Sequence, residues 1–356
     1  MNLEHDSLHE RTLWHPIAAR ADLGLEPLGL TLLGERVALW QGDASHAHAF
    51  ADRCPHRGTP LSMGRVRDGR LECAYHGWQF EAGGRCAHIP AVPEFVASPT
   101  HAACAYEVSA AHGLWWVRLA RSDSDSDNGN GNGNGDGDGN GDGDGDGDGD
   151  DGPPALAGLP SRRVVCGPYD VATSAPRVVE NFLDTSHFGF VHEGWLGDRA
   201  HTAVPTYEVV SGPGGAPSVP HYRAWQPQAS AQAREGAWVD YRYEVLSPYC
   251  ALLTKQVSGT GDTAPVAQEA YALWVCPVTP ETCRVWFTLF TLDTTSSDDS
   301  LRAFQHTIFT QDRPVLEAQR PRRLPVGGGE VHCAADRLSA AYRRYLSSSG
   351  ITFGVC

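Results

Sequence analysis

Residues 54–59 read Cys-Pro-His-Arg-Gly-Thr, and residues 73–78 read Cys-Ala-Tyr-His-Gly-Trp. Each segment holds one Cys and one His at short spacing, and a glycine with its permissive backbone follows each pair. A 2Fe–2S cluster of one kind takes two thiolates on one iron and two imidazoles on the other. We therefore predict one such cluster, with the ligands Cys54, His56, Cys73 and His76.

A structural zinc site is the competing interpretation, because two Cys and two His also suit zinc. Zinc fingers pair Cys with Cys and His with His at their short spacings. In this chain each short pair mixes a Cys with a His. The mixed pairing favours the iron–sulfur cluster.

A second group of possible metal ligands lies in residues 180–192, which read Glu-Asn-Phe-Leu-Asp-Thr-Ser-His-Phe-Gly-Phe-Val-His. Asp184 and His187 would share one helix face. His187 and His192 would diverge by about 140° on an ideal helix. We expect Gly189 to end or distort the helix so that both imidazoles converge. Two unrelated surface or core histidines are the alternative.

Two histidines and one carboxylate form the facial triad of O2-activating non-haem Fe(II). We predict that Asp312, far along the chain, supplies this carboxylate, with Glu317 as the alternative. A carboxylate on the apolar stripe of a helix is costly unless it is paired or metal-bound. The stripe neighbours of Asp312 at helical spacing are Ile308, Val315 and Leu316. The competing interpretation is a salt bridge to one of Arg302, Arg313 and Arg320.

The two cluster segments resemble the signature of Rieske proteins. Position 59 is Thr and position 75 is Tyr, where the cytochrome-complex Rieske proteins carry an extra cysteine pair that forms a disulfide. The resemblance is therefore to the oxygenase and ferredoxin branch. Because the second group of ligands follows, nearly the whole chain resembles the oxygenase (alpha) component of Rieske non-haem iron oxygenases.

That resemblance implies roles for particular residues. His187, His192 and Asp312 would hold the catalytic iron. Asp184 would carry electrons between subunits, from a cluster histidine of a neighbouring subunit to His187. Asn181 falls where the family often has a residue close to the iron. Such enzymes work as rings, commonly homotrimers.

The vanillate O-demethylase and dicamba monooxygenase branch is the most similar one. The resemblance implies an enzyme that uses O2 to hydroxylate or oxidatively demethylate a small aromatic or heterocyclic substrate. Electrons would come from a separate NAD(P)H-dependent reductase, a ferredoxin or both, since no Gly-rich nucleotide fingerprint stands out. The lining of a pocket under the sheet could include Trp274 and Trp286, although such aromatic residues more often belong to the core. Two alternatives stay open: an arene cis-dihydroxylating dioxygenase alpha subunit, with or without a beta subunit, and a Rieske electron carrier.

The order of predicted elements indicates an α+β protein of three parts, and the resemblance implies which fold each ordered part would have. Residues 1–121 would form an all-β Rieske domain, with strands at 36–40, 48–54, 71–80 and 114–119. Residues 122–152 are an Asn/Asp-Gly repeat without apolar residues, which predicts a disordered insert. Residues 153–356 would form the catalytic domain, an antiparallel sheet with helices of the helix-grip, START-like kind. Its predicted helices are 178–187 and 301–319, and its strands are 241–245, 252–257, 269–276 and 284–292.

Composition excludes several classes of protein. The net charge is −15, but residues 123–151 contribute 11 Asp and no basic residue, so the rest carries −15 + 11 = −4. A nearly balanced body without a basic stripe predicts no nucleic-acid partner. The sequence shows neither a signal peptide nor roughly 18 consecutive apolar residues, so we expect a cytoplasmic protein without membrane contact. The ten cysteines are irregularly spaced, which favours reduced thiols.

Overall fold

The computed structural model describes residues 9–42, 46–120, 152–227, 236–257 and 269–356. Its contacts divide the chain into two compact units, Met1–Ala155 and Leu156–Cys356. The predicted Asn/Asp-Gly insert lies outside the described residues, apart from Gly152. The predicted α+β class is confirmed, because the first unit is built of strands and the second combines an antiparallel sheet with helices.

The first unit contains a six-stranded sheet of order β1-β10-β9-β4-β3-β2 and a four-stranded sheet of order β5-β6-β7-β8. Every pair of neighbouring strands is antiparallel. The strands are β1 (His15–Ala19), β2 (Leu28–Leu32), β3 (Glu35–Gln41), β4 (Ala47–Ala51), β5 (Arg65–Arg67), β6 (Arg70–Glu72), β7 (Gln79–Phe80), β8 (Cys86–His88), β9 (Ala105–Ala111) and β10 (Leu114–Arg118). Short 3-10 helices lie at His9–Thr12, Arg20–Asp22, Leu61–Met63 and Pro99–His101.

The core of this unit lies directly behind the two cluster segments. Trp40, Phe50 and Phe80 are completely buried, and they belong to one apolar cluster with Cys54 and Cys73. The predicted strand over residues 71–80 is wrong in one respect. It is two short strands, because the second cluster segment forms a loop between β6 and β7.

The second unit is organised around a seven-stranded antiparallel sheet of order β11-β17-β16-β15-β14-β13-β12. Its strands are β11 (Arg163–Val171), β12 (Val210–Ser211), β13 (Pro217–Gln226), β14 (Ala237–Ser247), β15 (Cys250–Val257), β16 (Glu269–Thr279) and β17 (Thr282–Phe290). Trp274 and Trp286 lie opposite each other in β16 and β17, and both are completely buried. The predicted strands of this region are present. Three of them are longer than the sequence indicated, whereas β17 has the predicted length and begins two residues earlier.

Among the described residues, four helices accompany this sheet: α1 (Ala175–Leu183), α2 (Phe188–Val191), α3 (Asp298–Ala318) and α4 (Arg337–Ser348). A 3-10 helix at Pro213–Gly215 and another at Ala334–Asp336 complete the unit. Helix α1 begins after Ser174, carries Pro176 in its first turn, where a proline is tolerated, and buries Val178 and Val179. Within the described ranges, no helix has the length and apolar character needed to span a bilayer.

Helix α3 carries a buried stripe along most of its 21 residues. The side chain of Ser297 caps its first turn by accepting a hydrogen bond from the backbone N–H of Ser300. The helix continues past Pro314 to Ala318. The expected stripe is wrong at Val315, which is 46% exposed. The buried members are Leu301, Gln305, Ile308, Phe309, Asp312 and Leu316.

A buried ionic network joins α1, α4 and the segment before α4. Arg177 donates to the carboxylate of Glu330 at 2.7 Å. Arg343 donates to Glu180 at 2.6 Å and to Glu330 at 2.6 Å. Both guanidinium groups are almost fully buried, so the two carboxylates are needed to balance their charge.

Candidate active site

The two cluster segments form loops with the same backbone hydrogen bonds. The N–H of Cys54 donates to the carbonyl of Thr59 at 2.8 Å, and the N–H of Gly58 donates to the carbonyl of Cys54 at 2.9 Å. In the second loop, Cys73 donates to Trp78 at 2.8 Å and Gly77 to Cys73 at 3.0 Å. Gly58 and Gly77 both have positive φ, +75° and +69°, a conformation that other residues rarely adopt.

These loops place the four predicted cluster ligands next to one another. Cys54 and Cys73 are both 2% exposed. The rings of His56 and His76 have their centroids 4.5 Å apart. His56 is half-buried, whereas His76 is exposed. The paired loops therefore bring two buried thiols and two imidazoles to one place, with the imidazoles on the outer side.

The chemistry of these four side chains fits a metal cluster. Burial, together with the neighbouring Cys73, raises the pKa of Cys54 to about 11, so this thiol needs a bound cation to ionise at neutral pH. Partial burial and the nearby His76 lower the pKa of His56, which favours the neutral imidazole that binds metal. The Nδ1 atom of His56 is buried without a hydrogen-bond partner, as expected for an atom whose partner would be iron.

In the second unit, His187, His192 and Asp312 bring one ligand atom each within 4.8 Å of one another. Oδ1 of Asp312 lies 3.5 Å from Nε2 of His187 and 3.2 Å from Nε2 of His192. Two ligands at right angles, each about 2.1 Å from a metal, lie roughly 3 Å apart. These distances therefore match adjacent positions on a single metal ion.

The surroundings of His192 favour a positive charge at this place. Burial acts to lower the pKa of His192, but the hydrogen bonds and charge of Asp312 and the amide of Gln311 outweigh it and raise the pKa. Arg302 and Arg313, which were possible partners of Asp312, pair instead with acidic residues of α3. A divalent metal ion would supply the charge that this arrangement favours.

The chain reaches this geometry through a turn, and the sequence expectation for that turn was wrong. Helix α1 ends at Leu183, and Asp184 is already extended. Asp184 accepts hydrogen bonds from the N–H of Ser186 at 2.6 Å and from its hydroxyl at 2.7 Å. This Asx turn leads into the single-turn helix α2, which separates His187 from His192. Gly189 lies inside α2, where a Cβ would come within 2.8 Å of a backbone oxygen.

Asp184 stays outside the group of three ligands. Its Oδ2 lies 3.7 Å from Nδ1 of His187, longer than a hydrogen bond. Burial raises its pKa, but His187 and the two bonds from Ser186 outweigh burial and lower the pKa. Asp184 is therefore an ionised, partly exposed carboxylate directly behind one proposed ligand.

Three more residues around the site have clear positions. Nδ2 of Asn181 donates to Oδ1 of Asp312 at 3.4 Å. The amide oxygen of Gln311 lies 2.8 Å from Nδ1 of His192; the sequence did not predict this contact, because Gln311 gives no signal beyond preceding Asp312. Glu317, the alternative ligand, instead accepts hydrogen bonds from Arg313 and the N–H of Ala172.

A cavity of about 750 Å³, including the solvent at its mouth, opens beside the three ligands. It follows α3 from Asp312 to Phe304, eight residues or about 12 Å of helix. Its wall is mainly apolar and aromatic, as in pockets for small organic molecules. The sheet contributes Tyr243, Leu253, Lys255, Tyr271, Leu273 and Phe287.

Trp274 and Trp286 do not line this cavity; they belong to the buried core, which is the more common role of such residues. Successive residues of a strand point to opposite faces of a sheet. Leu273 and Phe287 line the cavity, so the tryptophans next to them point to the other face. There the indole N–H of Trp274 donates to Thr288 at 3.0 Å.

The fold and the site define a class of protein: an oxygenase with a 2Fe–2S unit and a mononuclear iron unit. Residues 13–103 match the Rieske [2Fe-2S] domain, and residues 171–349 match the vanillate O-demethylase oxygenase C-terminal domain. The chain belongs to the Rieske non-haem iron oxygenases, as an oxygenase (alpha) component.

Relatives of known activity cover nearly the whole chain. It is 30% identical over 355 residues to the methylxanthine N3-demethylase NdmB of Pseudomonas putida, covering 96% of this chain and 90% of the relative. It is 26% identical to the dicamba O-demethylase oxygenase component of Stenotrophomonas maltophilia, covering 91% and 92%. The solved structure of Pseudomonas putida NdmA with caffeine matches with a TM-score of 0.74 at 26% identity, covering 97% and 95% of the two chains.

These likenesses confirm the predicted kind of enzyme. The protein is a Rieske-type oxygenase component with a 2Fe–2S cluster, a non-haem Fe(II) site and O2 as co-substrate. It uses electrons from a separate protein and acts on a small molecule by hydroxylation or oxidative demethylation. The relatives that match almost the full chain include demethylases. They support the predicted hydroxylation or demethylation more than they support a dioxygenase or an electron carrier.

Proposed function

We propose that this enzyme removes a methyl group from a small, planar, largely apolar aromatic or heterocyclic substrate bound in the cavity beside Asp312. The observation that supports it best is the convergence of His187, His192 and Asp312 at the wall of that cavity. A methyl group of a bound ring can thus lie next to the iron site. Hydroxylation of a methyl carbon that is bonded to nitrogen or oxygen consumes O2, two electrons and two protons and releases one water. The resulting hemiaminal or hemiacetal then breaks into formaldehyde and the demethylated product.

The proposal assigns each metal site its ligands. Cys54, His56, Cys73 and His76 would hold the cluster, and His187, His192 and Asp312 would hold the iron. When bound, the two groups supply single-electron transfer and O2 activation.

The protein's own part includes an aromatic section of the cavity wall that carries no charge. Burial raises the pKa of Tyr243 well above its usual value, and burial also raises that of Tyr271. Both phenols therefore stay uncharged in the cavity wall. An uncharged aromatic wall favours a flat apolar ring and disfavours bulk water around it.

Electron supply is part of the same proposal. We infer a homotrimer in the cytoplasm that receives electrons from an NAD(P)H-dependent reductase, a ferredoxin or both. His76 is exposed, and Asp184 is a partly exposed carboxylate behind His187. Such positions suit a relay in which Asp184 of one subunit faces a cluster histidine of the next.

Metal analysis tests the ligand assignment. We expect three Fe per chain in the wild type and two in His192→Ala and Asp312→Ala, with the visible spectrum of the cluster retained. A Glu317→Ala control should keep three. Loss of iron in the control, but not in the two ligand variants, would contradict the assignment.

Product analysis tests the reaction. With a methyl-labelled substrate, an O2 supply and a surrogate reductase, labelled formaldehyde should appear in proportion to product. A cis-diol that carries two atoms from labelled O2, without formaldehyde, would show a dioxygenase instead.

A further inference from the structure

One charged side chain lies in the cavity wall away from the iron site. Lys255 lines the cavity with only 8% of its side chain exposed. Burying an ammonium group among apolar side chains is costly unless it has a partner. The question is what this lysine contributes to a pocket for a small organic ring.

The strand register explains its position. In β14, β15 and β16, Tyr243 lies opposite Leu253, and Leu253 lies opposite Tyr271. Two residues further along β15, Lys255 lies opposite Glu269. Because alternate residues share a face, this polar row continues the apolar row on the cavity side. The cavity wall therefore changes from apolar to polar along the strand direction.

The polar row is a defined set of contacts. Nζ of Lys255 lies 3.8 Å from Oε2 of Glu269 and 4.9 Å from the ring centroid of Tyr271. The other carboxylate oxygen of Glu269 accepts a hydrogen bond from the hydroxyl of Thr291 at 3.1 Å. Glu269 thus balances the charge of Lys255, and the pair as a whole is neutral.

The polar row is well placed to hold the far end of a substrate. Phe304 and Tyr271 border both the cavity and the neighbouring groove that contains Glu269 and Thr291. Phe304 is about 12 Å from Asp312 along α3. Because Lys255 and the three ligands line one cavity, a bound molecule with a methyl group at the iron site can direct a polar substituent towards Lys255.

We propose that Lys255 determines specificity by donating a hydrogen bond to a carbonyl oxygen of a neutral substrate. The inference rests on the proposed function, of which it names the substrate class. A Lys ammonium has three N–H donors, and a substrate carbonyl oxygen would share them with the partners that Lys255 already has, among them Glu269 and the ring of Tyr271. A neutral acceptor is favoured over a carboxylate, because Glu269 would repel a second negative charge.

The test compares three probes of similar shape in binding to the holoenzyme. They are para-methoxyacetophenone, which has a carbonyl, para-isopropenylanisole, which has a methylene in its place, and para-methoxybenzoate, which has a carboxylate. Isothermal titration calorimetry would give their dissociation constants for the wild type, Lys255→Met, Lys255→Arg and Glu269→Gln. Iron content and circular dichroism would check that each variant is folded.

The wild type should bind the ketone about tenfold or more tightly than the alkene, because a hydrogen bond from a charged donor commonly strengthens binding by at least that factor. That ratio should fall to about one in Lys255→Met and largely persist in Lys255→Arg. Glu269→Gln should shift the preference towards the benzoate by a similar factor. If Lys255→Met fails to fold, two measurements still test the inference: the ratio of ketone to alkene affinity in the wild type, and the shift towards the benzoate in Glu269→Gln.

Equal binding of ketone and alkene by the wild type would overturn the inference, and so would a preference for the benzoate or an unchanged ratio in Lys255→Met. Binding does not require turnover. An enzyme that released no formaldehyde would therefore refute the proposed function while this comparison still judged Lys255.

Discussion

Replacing Gln311 by Leu should weaken iron binding without affecting the cluster. The amide oxygen of Gln311 lies 2.8 Å from Nδ1 of His192, whose residue is only 2% exposed. Water therefore cannot replace the lost partner. An unsatisfied buried N–H costs about 1–3 kcal/mol, and loss of a hydrogen-bond partner behind a metal ligand commonly weakens binding about 10–100-fold. We expect a loss of iron affinity in that range.

The assay is a competition between the holoenzyme and a graded series of Fe(II) chelators under anaerobic conditions. Cluster absorbance provides an internal standard, since Gln311 belongs to the other unit of the chain. Gln311→Glu keeps an acceptor for His192 and should retain iron at least as well as the wild type. Thr310→Ala is the matched control, because Thr310 is exposed and its hydroxyl bonds to the helix backbone.

If Gln311→Leu bound iron as tightly as the wild type, the reasoning would be refuted. That result would mean that Nε2 of His192 can bind iron without a hydrogen-bond partner at Nδ1. Equal losses in Gln311→Leu and Thr310→Ala would also refute it, since they would point to a general weakening of α3.

Three further predictions concern other parts of the molecule. Asp184→Asn should retain three Fe per chain but lose most reductase-dependent formaldehyde release, because the proposed relay needs the carboxylate. Gly77→Ala should lower cluster absorbance, because a side chain at φ +69° costs about 1 kcal/mol and its Cβ would lie 3.1 Å from Pro90. Glu330→Gln should lower the melting temperature of the second unit by about 4–8 °C, the equivalent of about 2 kcal/mol. Hydrogen bonds from Arg177 and Arg343 lower the pKa of Glu330 from 4.5 to about 2, because together they outweigh the effect of burial, which would raise it. Its stabilisation is therefore present above about pH 4.5 and lost as the pH falls towards 2, so the difference from the wild type should shrink in acid.

Matched variants make these results interpretable. Glu193→Gln removes a carboxylate that pairs with Arg199 at the surface and should leave both turnover and melting temperature nearly unchanged. Gly83→Ala should leave the cluster intact, because nothing lies within 4 Å of the new Cβ. Normal turnover in Asp184→Asn, full cluster absorbance in Gly77→Ala, or a melting difference in Glu330→Gln that is independent of pH would each count against the corresponding explanation.

The turn before His187 shows where sequence reasoning was insufficient. Periodicity predicted a helix as far as His187 and gave Gly189 the task of breaking it. In the structure, Asp184 ends the helix with its own Asx turn. Helix propensity is an average over several residues. The end of this helix instead depends on one specific backbone geometry, in which the carboxylate of Asp184 accepts hydrogen bonds from Ser186.

The cavity wall illustrates the same limit. From the sequence, Trp274 and Trp286 could belong either to the pocket lining or, as is more common for large aromatic residues in strands, to the core. Both strands are buried on both faces over much of their length, so hydrophobicity does not alternate and gives no information on which face meets the substrate. The face is decided by the sheet as a whole: Tyr271, Leu273 and Phe287 line the cavity, so the tryptophans, which lie next to Leu273 and Phe287 in the chain, point the other way.

The sequence by itself determined the classes of element and the chemistry of the ligand sets. It specified mixed Cys and His pairs at short spacing, each followed by Gly58 or Gly77, and a carboxylate on the apolar stripe of α3. These are local features, fixed by residue type and by distance along the chain. Tertiary structure decided the rest: which residue bonds to His192, which face of the sheet the two tryptophans occupy, and where Lys255 lies relative to Glu269. Those depend on strand register and helix packing, in which residues far apart in the chain meet because the whole core must close around them.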